Sequence, residues 1–215
     1  MTDEPPTDLG EIVVVGQRRS EPWQPFPERP TLVRPDPDVA VLPDEDTGPV
    51  DPCFNPETAR DWNADAAAAE ALRRMQADAN DPLLDGRERG FVIYWDAATQ
   101  MMRLGNLAVG PAMGGAVTPD LTGIDRGSII GFIHSHPGSG PYPSGPDRTV
   151  LFPFFQNEIT SGGGNATLFR LYMVGTRADP GSPARLQIRV YNASNLSGDE
   201  ENPGPEVNPD GEPCS

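Results

Sequence analysis

With 215 residues, the chain suits one domain carrying extra segments better than two full domains. Its 26 prolines and 23 glycines keep much of it out of helix and sheet, and hydrophobic residues make up only 36%. A formal charge of -16 excludes long-range attraction to phosphate backbones or anionic lipid, so neither nucleic acid nor a membrane surface is an expected partner.

The acidity sits at the ends. Residues 1–60 hold 13 acids against 5 arginines and residues 197–215 hold 6 acids with no base, which leaves a nearly neutral middle. All 16 basic residues are arginine. The start, Met1-Thr2-Asp3-Glu4-Pro5-Pro6, has neither the basic residues nor the apolar run of a secretory signal, and no apolar stretch is long enough to span a bilayer. The expected location is the cytoplasm, or export by a route without such a signal. Cys53 and Cys214 lie in the proline-rich flanks, and the sequence leaves open whether they pair.

Taken in chain order, residues 1–57 read as a flexible, acidic, proline-rich arm in which only Glu11–Gly16 has strand character. Residues 58–79 are alanine-rich without Gly or Pro. Trp62, Ala66, Ala69, Leu72, Met75 and Ala79 recur at helical steps, and Asn80-Asp81-Pro82 ends the helix. Phe91–Trp95 reads as a strand, Asp96–Thr99 as a turn and Gln100–Leu104 as the return strand. After a Gly/Pro-rich connection over 110–127, Ile129–His136 has the apolar run of a buried central strand. Residues 145–160 read as a helix that Pro153 kinks or delays, with Phe152, Phe154 and Phe155 expected in the core. Leu168–Val174 and Arg185–Tyr191 close the pattern as two strands, and residues 195–215 read as a disordered acidic tail. The expected class is α+β, a mixed sheet flanked by helices, with the domain over 58–194.

The two histidines of the chain, His134 and His136, stand two apart at the end of the best strand. Alternation puts both imidazoles on one face, where they can share a tetrahedral metal ion such as zinc. A catalytic ion needs a third protein ligand and a place for water. Asp147, eleven residues beyond His136 across a loop of four prolines and three glycines, is a natural supplier.

His134-Ser135-His136, seven residues, Ser144, two residues, Asp147 is similar to the H-x-H-x7-S-x2-D signature of the JAMM (JAB/MPN-type) metallopeptidases, including the proline after the second histidine. The resemblance spans roughly residues 58–192 and is nearest to bacterial JAB-like domains of secreted or toxin-type proteins. It implies a JAB/MPN-like fold with cytidine-deaminase-like layering, and a zinc ion held by His134, His136 and Asp147. It also implies that Ser144 hydrogen-bonds the oxyanion and that an upstream glutamate acts as general base. Glu88, ahead of Gly90-Phe91-Val92, is the best candidate, with Glu70 and Glu158 weaker by position; the family places its glycine three residues after the glutamate, and Gly90 comes two after. The implied substrate is a protein or peptide, with a peptide or isopeptide bond cut at the tail of a ubiquitin-like protein or conjugate. A toxin or effector domain of the same chemistry and a non-catalytic MPN-like scaffold are the alternatives.

Overall fold

The computed structural model describes residues 53, 55–81, 83–84, 86–112, 115–177, 184–208, 210 and 212–214. The expected arm lies outside them up to residue 52, and with it the strand-like Glu11–Gly16.

Helix α1 runs from Pro56 to Ala79. The Asn55 side chain accepts a hydrogen bond from the Glu57 amide and Pro56 occupies the first turn, where a missing N–H costs nothing. Asn80 ends it with φ 51°, a left-handed cap that asparagine tolerates. The deepest stripe is Ala64, Ala68, Ala71 and Met75, all with no exposed area. The sequence pattern placed the apolar face slightly to one side of this stripe because alanine marks burial poorly.

Strand β1 is Arg89–Asp96, β2 is Met101–Leu104 and β3 is Ala108–Val109. Strand β4 is Ile129–His136, β5 is Arg170–Arg177, β6 is Arg185–Tyr191 and β7 is Glu206–Val207. They form one sheet in the order β2-β1-β4-β5-β6-β7, with β3 pairing β1. Only β4 and β5 run parallel; the other pairings are antiparallel. The class is therefore α+β with a mixed sheet. Strand β4 lies in the middle, antiparallel to β1 and parallel to β5.

Alternation along the strands divides the core. Phe91, Ile93, Ile133, Tyr172, Val174 and Ile188 pack with α1 on one face. Val92, Phe132, Leu171 and Met173 pack on the other with helix α2, Phe152–Ser161. The site residues belong to this second face. Pro153 falls within the first turn of α2, and one π turn, Asp147–Leu151, leads into it. Proline has no N–H to give Thr149, and the Phe152 amide instead bonds the Asp147 carbonyl five residues back. The expected kink is therefore a widened turn. Phe152 and Phe155 are buried, but Phe154 is 38% exposed, which corrects its expected place in the core.

The tail residues take part in the fold, where their composition suggested disorder. Glu206–Val207 pairs β6, Val207 joins the α1-side core, and the Trp62 indole N–H donates to the Glu212 carbonyl. Cys53 and Cys214 form a disulfide with Cα atoms 5.5 Å apart, closing a span of 161 residues, and the Cys214 amide donates to Asn63. Strand β6 would otherwise expose a row of unpaired backbone groups, and this tail covers it. No helix among the described residues is long and apolar enough to cross a membrane.

Candidate metal centre

Strand β4 delivers its two histidines from adjacent positions of one face. Phe132, His134 and His136 alternate with Ile133 and Ser135, and the Phe132 ring stacks against the His134 ring at 5.4 Å between centroids. The opposing loop, residues 137–146, is pinned rather than loose. The Thr176 amide donates to the Ser139 carbonyl at 2.8 Å, and the buried Tyr191 hydroxyl donates to the Pro141 carbonyl at 2.9 Å. Gly175 allows this contact, because a Cβ there would lie 2.3 Å from the Gly140 carbonyl carbon.

The loop ends in a reciprocal cap. The Ser144 amide donates to Asp147 Oδ2 at 2.7 Å, and the Asp147 amide donates to Ser144 Oγ at 3.3 Å. A serine followed three residues later by an acid is a helix-start pattern in its own right. The S-x2-D part of the motif thus has a local physical role: it fixes where the Asp147 carboxylate points.

That carboxylate meets both histidines. His134 Nε2 lies 3.0 Å from Asp147 Oδ1, His136 Nε2 lies 3.2 Å from Asp147 Oδ2, and the two Nε2 atoms are 3.1 Å apart. All three candidate ligand atoms fall within 4.8 Å of one another. A tetrahedral ion with bonds of about 2.0–2.1 Å sets its ligands about 3.3 Å apart, close to these separations. His134 and Asp147 are buried, at 1% and 5% exposed. Burial alone would raise the Asp147 pKa, but the hydrogen bonds to His134 and His136 outweigh it and hold the carboxyl far below its ordinary range. The converged donor set of two imidazoles and one ionised carboxylate could hold a metal ion. The far ring nitrogen of His134, Nδ1, is buried without a hydrogen-bond partner among the described residues, so packing against Phe132 orients this ring.

Glu88 stands just before β1, where the register pairs Gly90 with His134. Glu88 lines a cavity of about 290 Å³ together with His134 and Asp147. Glu88 Oε2 accepts from the Val117 amide at 3.0 Å, which fixes one oxygen. Gly90, paired with His134 across the strands, leaves room for the Phe132 ring, since a Cβ there would lie 2.7 Å from Phe132 Cζ. Glu70 instead pairs with Arg73 and Arg74 on an exposed side of α1, and Glu158 pairs with Arg126; neither lines this cavity.

Two contributors carried no recognisable signal. Ser135, between the histidines, is buried and faces away from them, and its Oγ accepts the Arg89 amide at 3.0 Å, anchoring the residue next to Glu88. The Arg89 guanidinium pairs with Asp78 of α1 at 2.8 Å, tying the start of β1 to the helix. Arg148 donates to the Gly198 carbonyl at 2.8 Å and so links the metal-site turn to the tail. No protein-family model matches the chain, and no curated protein is significantly similar to it.

Proposed function

We propose that the protein is a zinc-dependent hydrolase of peptide or isopeptide bonds, built on a JAB/MPN-like domain. The observation that carries this reading is the convergence of His134, His136 and Asp147 within 4.8 Å, with Glu88 lining the same cavity. When bound there, zinc supplies a Lewis acid and lowers the pKa of a coordinated water to about 7.

The chain's own residues supply the rest. Glu88, held through Oε2 by the Val117 amide, accepts the proton of the attacking water and passes it to the leaving amine. Ser144 positions Asp147 through the reciprocal cap, and its hydroxyl, which hydrogen-bonds that carboxylate, turns to donate to the oxyanion that develops at the scissile carbonyl. The ligand set, the capped turn and the glutamate together favour an enzyme over a scaffold. The Cys53–Cys214 disulfide favours export over the cytoplasm, because such bonds persist in oxidising compartments.

The test is turnover of a fluorogenic peptide library and of ubiquitin-like fusions by zinc-loaded protein and by Glu88→Gln. We expect cleavage by the wild type and a loss of about a hundredfold or more in the variant at unchanged zinc content. Equal turnover by both removes Glu88 from the mechanism. No cleavage of any substrate by fully loaded wild type contradicts the hydrolase reading.

A further inference from the structure

The cavity beside the candidate ligands has walls unlike its floor. His134 and Asp147 form the floor and Glu88 one side. Apart from Thr118, the remaining wall is apolar: Val117 and Pro119 from the extended segment after β3, and Val150, Leu151 and Phe154 from the π turn and α2. Val117 is 4% exposed, whereas Val150 and Phe154 are 66% and 38% exposed. The wall therefore grades from a buried base to an apolar rim.

Val150 and Phe154 are four residues apart and share one helix face. The solvent side of a surface helix ordinarily carries polar groups, and two large apolar side chains there need an explanation. The core does not supply one, since Phe152 and Phe155 already fill the α2 side of the sheet. Charge does not dominate the cavity either. Glu88 and Asp147 bring two negative charges, which one divalent cation in the ligand group offsets, and no arginine among the described residues lines the space. At about 290 Å³ the cavity stands at the lower end of small-ligand sites, room for one large residue.

We propose that this cavity is a specificity subsite taking a bulky apolar side chain from the residue next to the scissile bond. The substrate is then a polypeptide with a leucine- or phenylalanine-like residue at the cut. Glycine at the bond would leave the walls of Val117, Leu151 and Phe154 unfilled. The inference rests on the hydrolase reading above and narrows its substrate.

The test uses the full-length, zinc-loaded protein, with zinc content measured first, and amino-acid hydroxamates as probes. Calorimetry gives the affinity of the leucine, phenylalanine, glycine, aspartate and lysine hydroxamates. Burial of a large apolar side chain predicts that the leucine and phenylalanine compounds bind about tenfold tighter or more than the other three. The double variant Val150→Asp, Phe154→Ser, checked for folding by urea denaturation, should cut the leucine-to-glycine affinity ratio severalfold. Zinc-loaded protein that binds glycine and leucine hydroxamates equally, or prefers lysine or aspartate, overturns the subsite and leaves the hydrolase reading standing. Protein that takes up no zinc and binds no hydroxamate overturns both.

Discussion

Replacing Gly90 with alanine tests whether packing behind the histidines controls the site. The added Cβ would lie 2.7 Å from Phe132 Cζ, 3.1 Å from Phe132 Cε2 and 3.0 Å from the Ile133 carbonyl oxygen. Carbon–carbon contacts settle at about 3.5–4.0 Å, so the ring tip must retreat by about 1 Å. It has little room: Phe132 has no exposed area and packs on Phe155 at 5.1 Å and on His134 at 5.4 Å between ring centroids. The backbone carbonyl cannot yield without disturbing β4. Overpacking of this kind costs about 1–3 kcal/mol. Because Phe132 orients the His134 ring, metal retention should also weaken by about tenfold or more, as for other groups that support ligands. Urea unfolding of metal-free protein and competition against a chelator measure the two effects. Gly145→Ala is the control, since nothing lies within 4 Å of its added Cβ, and its stability should equal or slightly exceed the wild type. A Gly90→Ala protein within about 0.5 kcal/mol of wild type, with unchanged metal affinity, would refute the packing argument.

Other outcomes follow from the same structure. Cys53→Ser should lower stability by about 2–5 kcal/mol, because the bond it removes closes a span of 161 residues, and a reductant should have the same effect on wild type but none on the variant; an unchanged unfolding midpoint counts against the bond. Ser135→Ala strips the buried Arg89 amide of its acceptor and should cost about 1–3 kcal/mol in urea unfolding. Asp65 accepts from Tyr172 and Arg170, yet burial raises its pKa above the ordinary 3.8. The folded state thus binds this proton more tightly than the unfolded chain, so its contribution to stability falls as pH rises through the window above the unfolded value. Wild type should therefore lose stability relative to Asp65→Asn as pH increases above about 4, and a difference that stays flat with pH would contradict this assignment.

The elements that organise the site were legible because their signals are local. The apolar run of Ile129–His136 marks a central strand, and two histidines two apart on a strand must share a face. Helix α1 announced itself through its alanine-rich run and its Asn80 stop, although it starts at Pro56, two residues before the expected boundary. What escaped depends on contacts distant in sequence. The loop before Asp147 is fixed by Thr176 and Tyr191, which no pattern within the loop reveals. The tail's composition argues for disorder, yet the edge of β6, the Asn63 side chain and the bond to Cys53 hold it. Phe154 looked like core because three aromatic residues cluster at 152–155, but in a helix these cannot all face one side. The S-x2-D spacing carries two meanings at once, a helix cap and a ligand position, and only the geometry shows that one serves the other.

The central claim is that His134, His136 and Asp147 hold one metal ion, and elemental analysis of purified protein tests it most directly. The account predicts about one zinc per chain in wild type and in Glu88→Gln, with strong loss in His136→Ala and Asp147→Ala while both remain folded. Wild type that takes up no zinc even when supplied with it, or ligand variants that retain it fully, would contradict the account.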